Sequence, residues 1–103
     1  MFEVQMLVPT AGNDGGVFGS EHVAAFEAAV IDAFSGFTRY PSTAVGGWRN
    51  GDGVEYRDRS HVYGIAISSI GQGADIVALA GFAKSLFAQE AIALRYLGQF
   101  EVV

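Results

Sequence analysis

The chain predicts an α+β fold, a four-stranded antiparallel sheet with two helices on one face. Three observations carry this. Strand-like alternation and helical periodicity follow one another in the order β, α, β, β, α, β. The densest turn signal, Asn50-Gly51-Asp52-Gly53, separates two extended segments, as a β-hairpin requires. Both helical stretches keep an apolar stripe that a sheet can cover.

The first strand is Phe2 to Val8, with Phe2, Val4, Met6 and Val8 on one side and Glu3, Gln5 and Leu7 on the other. Pro9 ends it. The loop Thr10 to Gly19 contains four glycines and is expected to be mobile. Helix 20–36 opens with Ser20 as N-cap and Glu21 in the first turn, and a glycine C-cap near Ser35-Gly36 closes it. Its stripe is Val23, Phe26, Val30, Ala33, Phe34 and Phe37. Residues Thr38 to Ser42 form a connector.

The hairpin spans Thr43 to Ser68. Beyond the turn, Tyr63, Ile65 and Ile67 share a bulky face, while Val62, Gly64, Ala66 and Ser68 share a small one. Gly71-Gln72-Gly73 breaks the chain before a second helix, 75–89, capped by Asp75. Its core stripe is Ile76, Leu79, Ala80, Ala83, Leu86 and Phe87. The opposite side offers Val77, Ala78, Gly81 and Phe82, with Lys84 the one charge between Asp75 and Glu90. A helix this apolar all round is usually buried on more than one side. The last strand is Ala91 to Leu97, with Ile92, Leu94 and Tyr96 toward the helices, and Gln99 to Val103 follow as a short extension. Right-handed crossovers make this order the ferredoxin-like βαββαβ arrangement in one domain, 1–103.

Composition excludes several functions. The 103 residues carry a net charge of −5, which disfavours nucleic acid. With no cysteine and two histidines, His22 and His61, there is no thiolate chemistry, and a metal site is not expected. No phosphate-loop or dinucleotide fingerprint occurs, so no cofactor is expected. No basic-then-apolar leader and no run near the ~20 residues of a membrane span is present, which makes a cytoplasmic protein off the membrane the expectation. Charged residues are only 17% of the chain, below the rough quarter usual in soluble domains, so some surface is expected to be buried between copies, most simply in a dimer.

The hairpin holds most of the reactive groups: Trp48, Arg49, Tyr56, Arg57, Asp58, Arg59 and His61. Alternation places Arg57, Arg59 and His61 on one side, where two guanidiniums and an imidazole suit a carboxylate or phosphate. Asp58 points away from them. The plainer reading is a solvated hairpin with cross-strand ion pairs of ~0–1 kcal/mol each. Three other features stand lower. The loop Gly12-x-x-Gly15-Gly16-x-x-Gly19-Ser20 precedes a helix N-terminus, where amides bind anions, although Asp14 would repel one. Glu90 ends the second helix against the dipole and so calls for a partner such as an arginine. His22 is expected to be solvated.

The run from Gly46-Gly47-Trp48-Arg49 through the turn to Ser60-His61-Val62-Tyr63, with Phe87-Ala88-Gln89-Glu90-Ala91-Ile92, resembles a group of small bacterial ferredoxin-like proteins classed as a domain of unknown function. The resemblance implies the fold and carries no catalytic residues. A further likeness is to the trimeric PII and divalent-ion-tolerance proteins, which share the element order; the corresponding loop is shorter here and their nucleotide-binding signatures are absent. The residues point to a non-catalytic homo-oligomeric binding or regulatory module for a small, anionic ligand. The alternative is a cofactorless enzyme in which His61 is a general base and an arginine holds an anionic substrate.

Overall fold

In a computed structural model, residues 1–12 and 15–99 of the chain are described. The strands are β1 (Phe2–Pro9), β2 (Thr38–Arg39), β3 (Ala44–Arg49), β4 (Glu55–Ile67) and β5 (Ala93–Gln99). The helices are α1 (Ser20–Phe34) and α2 (Gly73–Leu86), the second preceded by a 3₁₀ turn, Ile70–Gln72. The sheet is antiparallel throughout, in the order β2-β4-β1-β5, and β3 also pairs with β4. The α+β, ferredoxin-like architecture is thus present, with five strands where four were expected.

The fifth is a division of labour along β4. Its thirteen residues outrun every partner. From Ser60 onward β4 pairs with β1, whose Pro9 faces Ser60. On its other side, Ala44–Arg49 covers Glu55–Ser60, and Thr38–Arg39 covers Tyr63–Gly64. The expected connector therefore contributes β2. Residues Glu55–Arg59 run past the end of β1, so the tip of the hairpin stands clear of the main sheet.

The core lies where the two periodicities meet. Val4, Met6 and Val8 of β1 and Tyr63, Ile65 and Ile67 of β4 are buried. They pack against Phe26 and Val30 of α1, Ile76, Leu79 and Ala83 of α2, and Phe87 just after it. Phe26 meets Tyr63 edge-on at 4.9 Å, and Phe37 meets the same ring at 5.5 Å.

Boundaries differ from the sequence reading for local reasons. Gly19, not Ser20, is the N-cap of α1, and no side chain caps it. Glu21 folds back over Gly19, where a Cβ would lie 2.5 Å from Oε2. Ser35 takes the left-handed C-cap conformation (φ 69°) ahead of Gly36, and its N–H reaches the Ile31 carbonyl at 2.8 Å. α2 starts at Gly73, which leaves Asp75 in the first turn rather than at the cap, and it ends at Leu86, short of 89. β5 begins at Ala93, two residues later than expected, and extends to Gln99. Of the expected extension Gln99 to Val103, Gln99 is the last residue of β5, and residues 100–103 lie outside the described residues.

Tyr96 does not pack beneath the helices. It sits opposite Val4 on the core side of the sheet, but on an edge strand next to a register shift between Phe2 and Val4, and it is 62% exposed. Ile92 and Leu94 keep their expected places at the core margin. The two sides of the glycine loop meet: Ala11 bridges Val17, Gly12 N–H donates to the Gly16 carbonyl, and Phe18 N–H donates to the Thr10 carbonyl. No helix among the described residues is long and apolar enough to cross a membrane.

Candidate functional site

The Asn50–Val54 turn fixes the site's register. The Asn50 side-chain oxygen accepts from Asp52 N–H at 2.9 Å and Val54 N–H at 3.0 Å. Gly53 adopts φ 82°, a conformation that glycine accepts without strain. Trp48 then falls opposite Tyr56, Gly47 opposite Arg57, and Gly46 opposite Asp58.

Alternation along this register divides the hairpin candidates between two faces. Trp48, Tyr56, Asp58 and Ser60 lie on the side without helices. The indole and phenol rings stack at 4.7 Å and 19°. Trp48 Nε1 donates to Asp58 Oδ2 at 3.2 Å, and the Tyr56 hydroxyl donates to Glu90 Oε2 at 3.2 Å. Desolvation and the Glu90 carboxylate both raise the Tyr56 pKa, which keeps the phenol protonated and able to donate. Glu90's partner is therefore a tyrosine and not an arginine, and Glu90 lies past the end of α2.

The other face carries Arg57, Arg59 and His61 on one side, as alternation required. They do not form a cluster of free groups. Arg59 Nη1 donates to Thr43 Oγ1 at 2.9 Å, Arg49 pairs with Glu55, and the Arg57 side chain makes no hydrogen bond among the described residues. His61 is half-buried beside Val8. Burial, then the positive Arg39, lowers its pKa, so the imidazole is neutral near pH 7.

A second polar group lies close to His61 and was not singled out from the sequence. Glu27 of α1 accepts from Arg39 at 2.7 Å and from the Tyr63 hydroxyl at 2.8 Å. Burial pushes the Tyr63 phenol well above its ordinary pKa, and the bond to Glu27 acts in the same direction. Only the pairing of Arg39 with Tyr63 across β2 and β4 brings these together, so no local spacing announces them. His22 is partly solvated, its side chain 35% exposed and its Nδ1 3.6 Å from Glu21 Oε1. Its ring lies 5.2 Å from Phe18 and 6.1 Å from Phe87, and its Nδ1 is buried without a hydrogen bond.

The helix-free face forms a cleft of about 390 Å³ between the β3–β4 hairpin and the start of β5. Trp48, Asp58 and Ser60 line one wall, Ile92, Ala93 and Arg95 the other, and Leu7 the floor. The volume is within the ~300–1,000 Å³ of small-molecule sites. Asp58 and its bond to Trp48 were recoverable from the turn, since the Asn50–Gly53 signal sets which residues oppose one another. Among the described residues no group of three or more His, Asp or Glu is placed to hold a metal ion.

The sequence matches no protein-family model and no curated protein. The structure is similar to that of a phage SAM lyase in complex with S-methyl-5'-thioadenosine, with a TM-score of 0.64 over 90% of this chain and 77% of that one. At 16% identity this likeness concerns the fold.

Proposed function

We propose that the protein is a homo-oligomeric small-molecule-binding module, and that its ligand lies in the cleft on the helix-free face, against Trp48. The observation that carries this is the stacked Trp48–Tyr56 pair beside the apolar cleft. Tyr56 is tied to Glu90 and Trp48 to Asp58, so the platform is ordered before a ligand arrives. Trp48 is the sole tryptophan, so its emission reports directly on the cleft. Titration with small planar ligands, S-methyl-5'-thioadenosine among them, should quench or shift that emission with saturation. A linear, non-saturating response to all of them would remove the reading.

Self-association is supported by the outer side of α2, where Val77 is 61% and Phe82 43% exposed. Contiguous apolar patches above a few hundred Å² are uncommon on monomers. Size exclusion with light scattering should give a multiple of the 10.9 kDa chain mass, reduced by Phe82→Glu. A wild-type monomer at micromolar concentration would reject this part.

The second reading is catalytic. It is supported by the fold shared with a lyase and by the neutral His61, which can accept a proton near pH 7. In this reading Arg57 or Arg59 holds an anionic substrate on the same face. Incubation with SAM, followed by chromatography for S-methyl-5'-thioadenosine, tests the first support. Turnover that vanishes in His61→Ala would favour the enzyme, and no product would leave the binding module.

A further inference from the structure

We infer that the ligand of the sheet cleft is a zwitterion, with its cationic end at Asp58, its anionic end at Arg95 and an apolar or planar body between them. This rests on the cleft being the binding site. Of all the residues lining it, only Asp58 and Arg95 are ionisable. They have opposite charge and come from β4 and β5, with β1 between. Neighbouring strands are about 4.8 Å apart, which sets β4 and β5 about 10 Å apart. Arg95 lies level with Gly64 through Gln5, six residues or about 20 Å along β4 from Asp58, so the ligand that reaches both is elongated. The two side chains form no ion pair with each other.

Each charge is also left largely unspent. Asp58 accepts one hydrogen bond, from Trp48 Nε1, which orients the carboxylate and leaves its other oxygen open. The Arg95 side chain makes no hydrogen bond or ion pair among the described residues, and the side chain of its cross-strand neighbour Gln5 donates instead to Tyr40. The surfaces between them are mostly apolar: Leu7 on the floor, Ile92 and Ala93 on the far wall and the Trp48 ring alongside, with Ser60 the polar exception.

A ligand with one charge satisfies one end and desolvates the other without return, which costs affinity. A ligand carrying both charges at matching separation satisfies both ends, while its body displaces water from Leu7 and Trp48. A charged hydrogen bond of this kind contributes more than a neutral one, and the discrimination arises from the unpaired end left by the wrong ligand.

Three probes with one biphenyl body and different charge test this: 4'-(aminomethyl)biphenyl-4-carboxylate, with its charges at opposite ends, 4-(aminomethyl)biphenyl and biphenyl-4-carboxylate. Binding is read by calorimetry on the full chain, with Trp48 emission as a second signal. The zwitterion should bind at least about tenfold tighter than either singly charged probe. Arg95→Gln should reduce the zwitterion to the level of the amine and leave the amine unchanged. Asp58→Asn should reduce it to the level of the carboxylate, with circular dichroism confirming the native fold. Equal affinities for the three probes would overturn the zwitterion and keep the cleft as a binding site. Saturable binding of none of them, or of any small planar ligand, would overturn both.

Discussion

The two faces of β4 do different work. Toward the helices, Tyr63, Ile65 and Ile67 are fully or almost fully buried, and the Tyr63 hydroxyl is paired with Glu27, which also holds Arg39. Away from the helices, Tyr56, Asp58, Ser60, Val62, Gly64 and Ala66 alternate with them along the same strand. Small side chains there leave a cleft instead of filling a layer. From Tyr63 to Ile67 the first face is given over to the core. The second carries Tyr56, stacked on Trp48 of β3, and the Asp58 carboxylate, the groups of the proposed site. The difference follows from what lies opposite: helices cover one face, and among the described residues no helix covers the other, where single side chains such as Tyr40 lie over Gln5 and Gly64.

The largest expected effect is on the covered face. Ile65→Ala removes a fully buried side chain and should cost ~2–5 kcal/mol in urea unfolding, whereas Trp48→Ala should leave the unfolding midpoint nearly unchanged. Comparable losses from both would mean that the hairpin platform is part of the core and that the division between faces is wrong.

Glu27→Ala comes next. It strips the Tyr63 hydroxyl of its acceptor in a part-buried setting and should cost ~1–3 kcal/mol. Tyr63→Phe in the same background should restore part of that loss, because the unpaired hydroxyl leaves with the substitution. A double variant no more stable than the single one would count against this explanation.

Gly64 tests the open face from the other direction. A Cβ at this position would meet Glu3 Oε1 at 2.7 Å. That atom ends a flexible side chain, so Gly64→Ala should cost under about 1 kcal/mol, and Glu3→Ala should remove the penalty. A cost that persists without Glu3 would place the constraint in the backbone.

The smallest effect concerns pH. The pKa of His61 is lowered in the folded chain, so between the ordinary histidine value and that lowered value the unfolded chain binds more protons. Stability therefore rises with pH across this window and is lost on acidification through it. His61→Gln should flatten that part of a stability-against-pH curve measured by urea midpoint from pH 5 to 7.5. An unchanged slope in the variant would assign the dependence to other groups.

Much of the architecture follows from local chemistry. Alternation in Phe2–Val8 and Tyr63–Ile67 set the core face of each strand, and the stripe of α2 matched its buried residues, because a period of two or of 3.6 determines which side chains share a side. The Asn50–Gly53 signal located the hairpin turn, since few residues tolerate its backbone angles. The same alternation put Arg57, Arg59 and His61 together and Asp58 away from them.

Sequence spacing did not determine where covered surface ends. Tyr96 obeys its alternation and is still exposed, because the helices do not reach the edge of β5 at a register shift. Arg39, Glu27 and Tyr63 meet only once α1, β2 and β4 are docked, and no periodicity joins residues that far apart in the chain. The cleft is likewise a product of length. β4 outruns β1, carries Trp48 and Asp58 beyond it, and leaves Arg95 on the far wall, a juxtaposition that only strand order and register create.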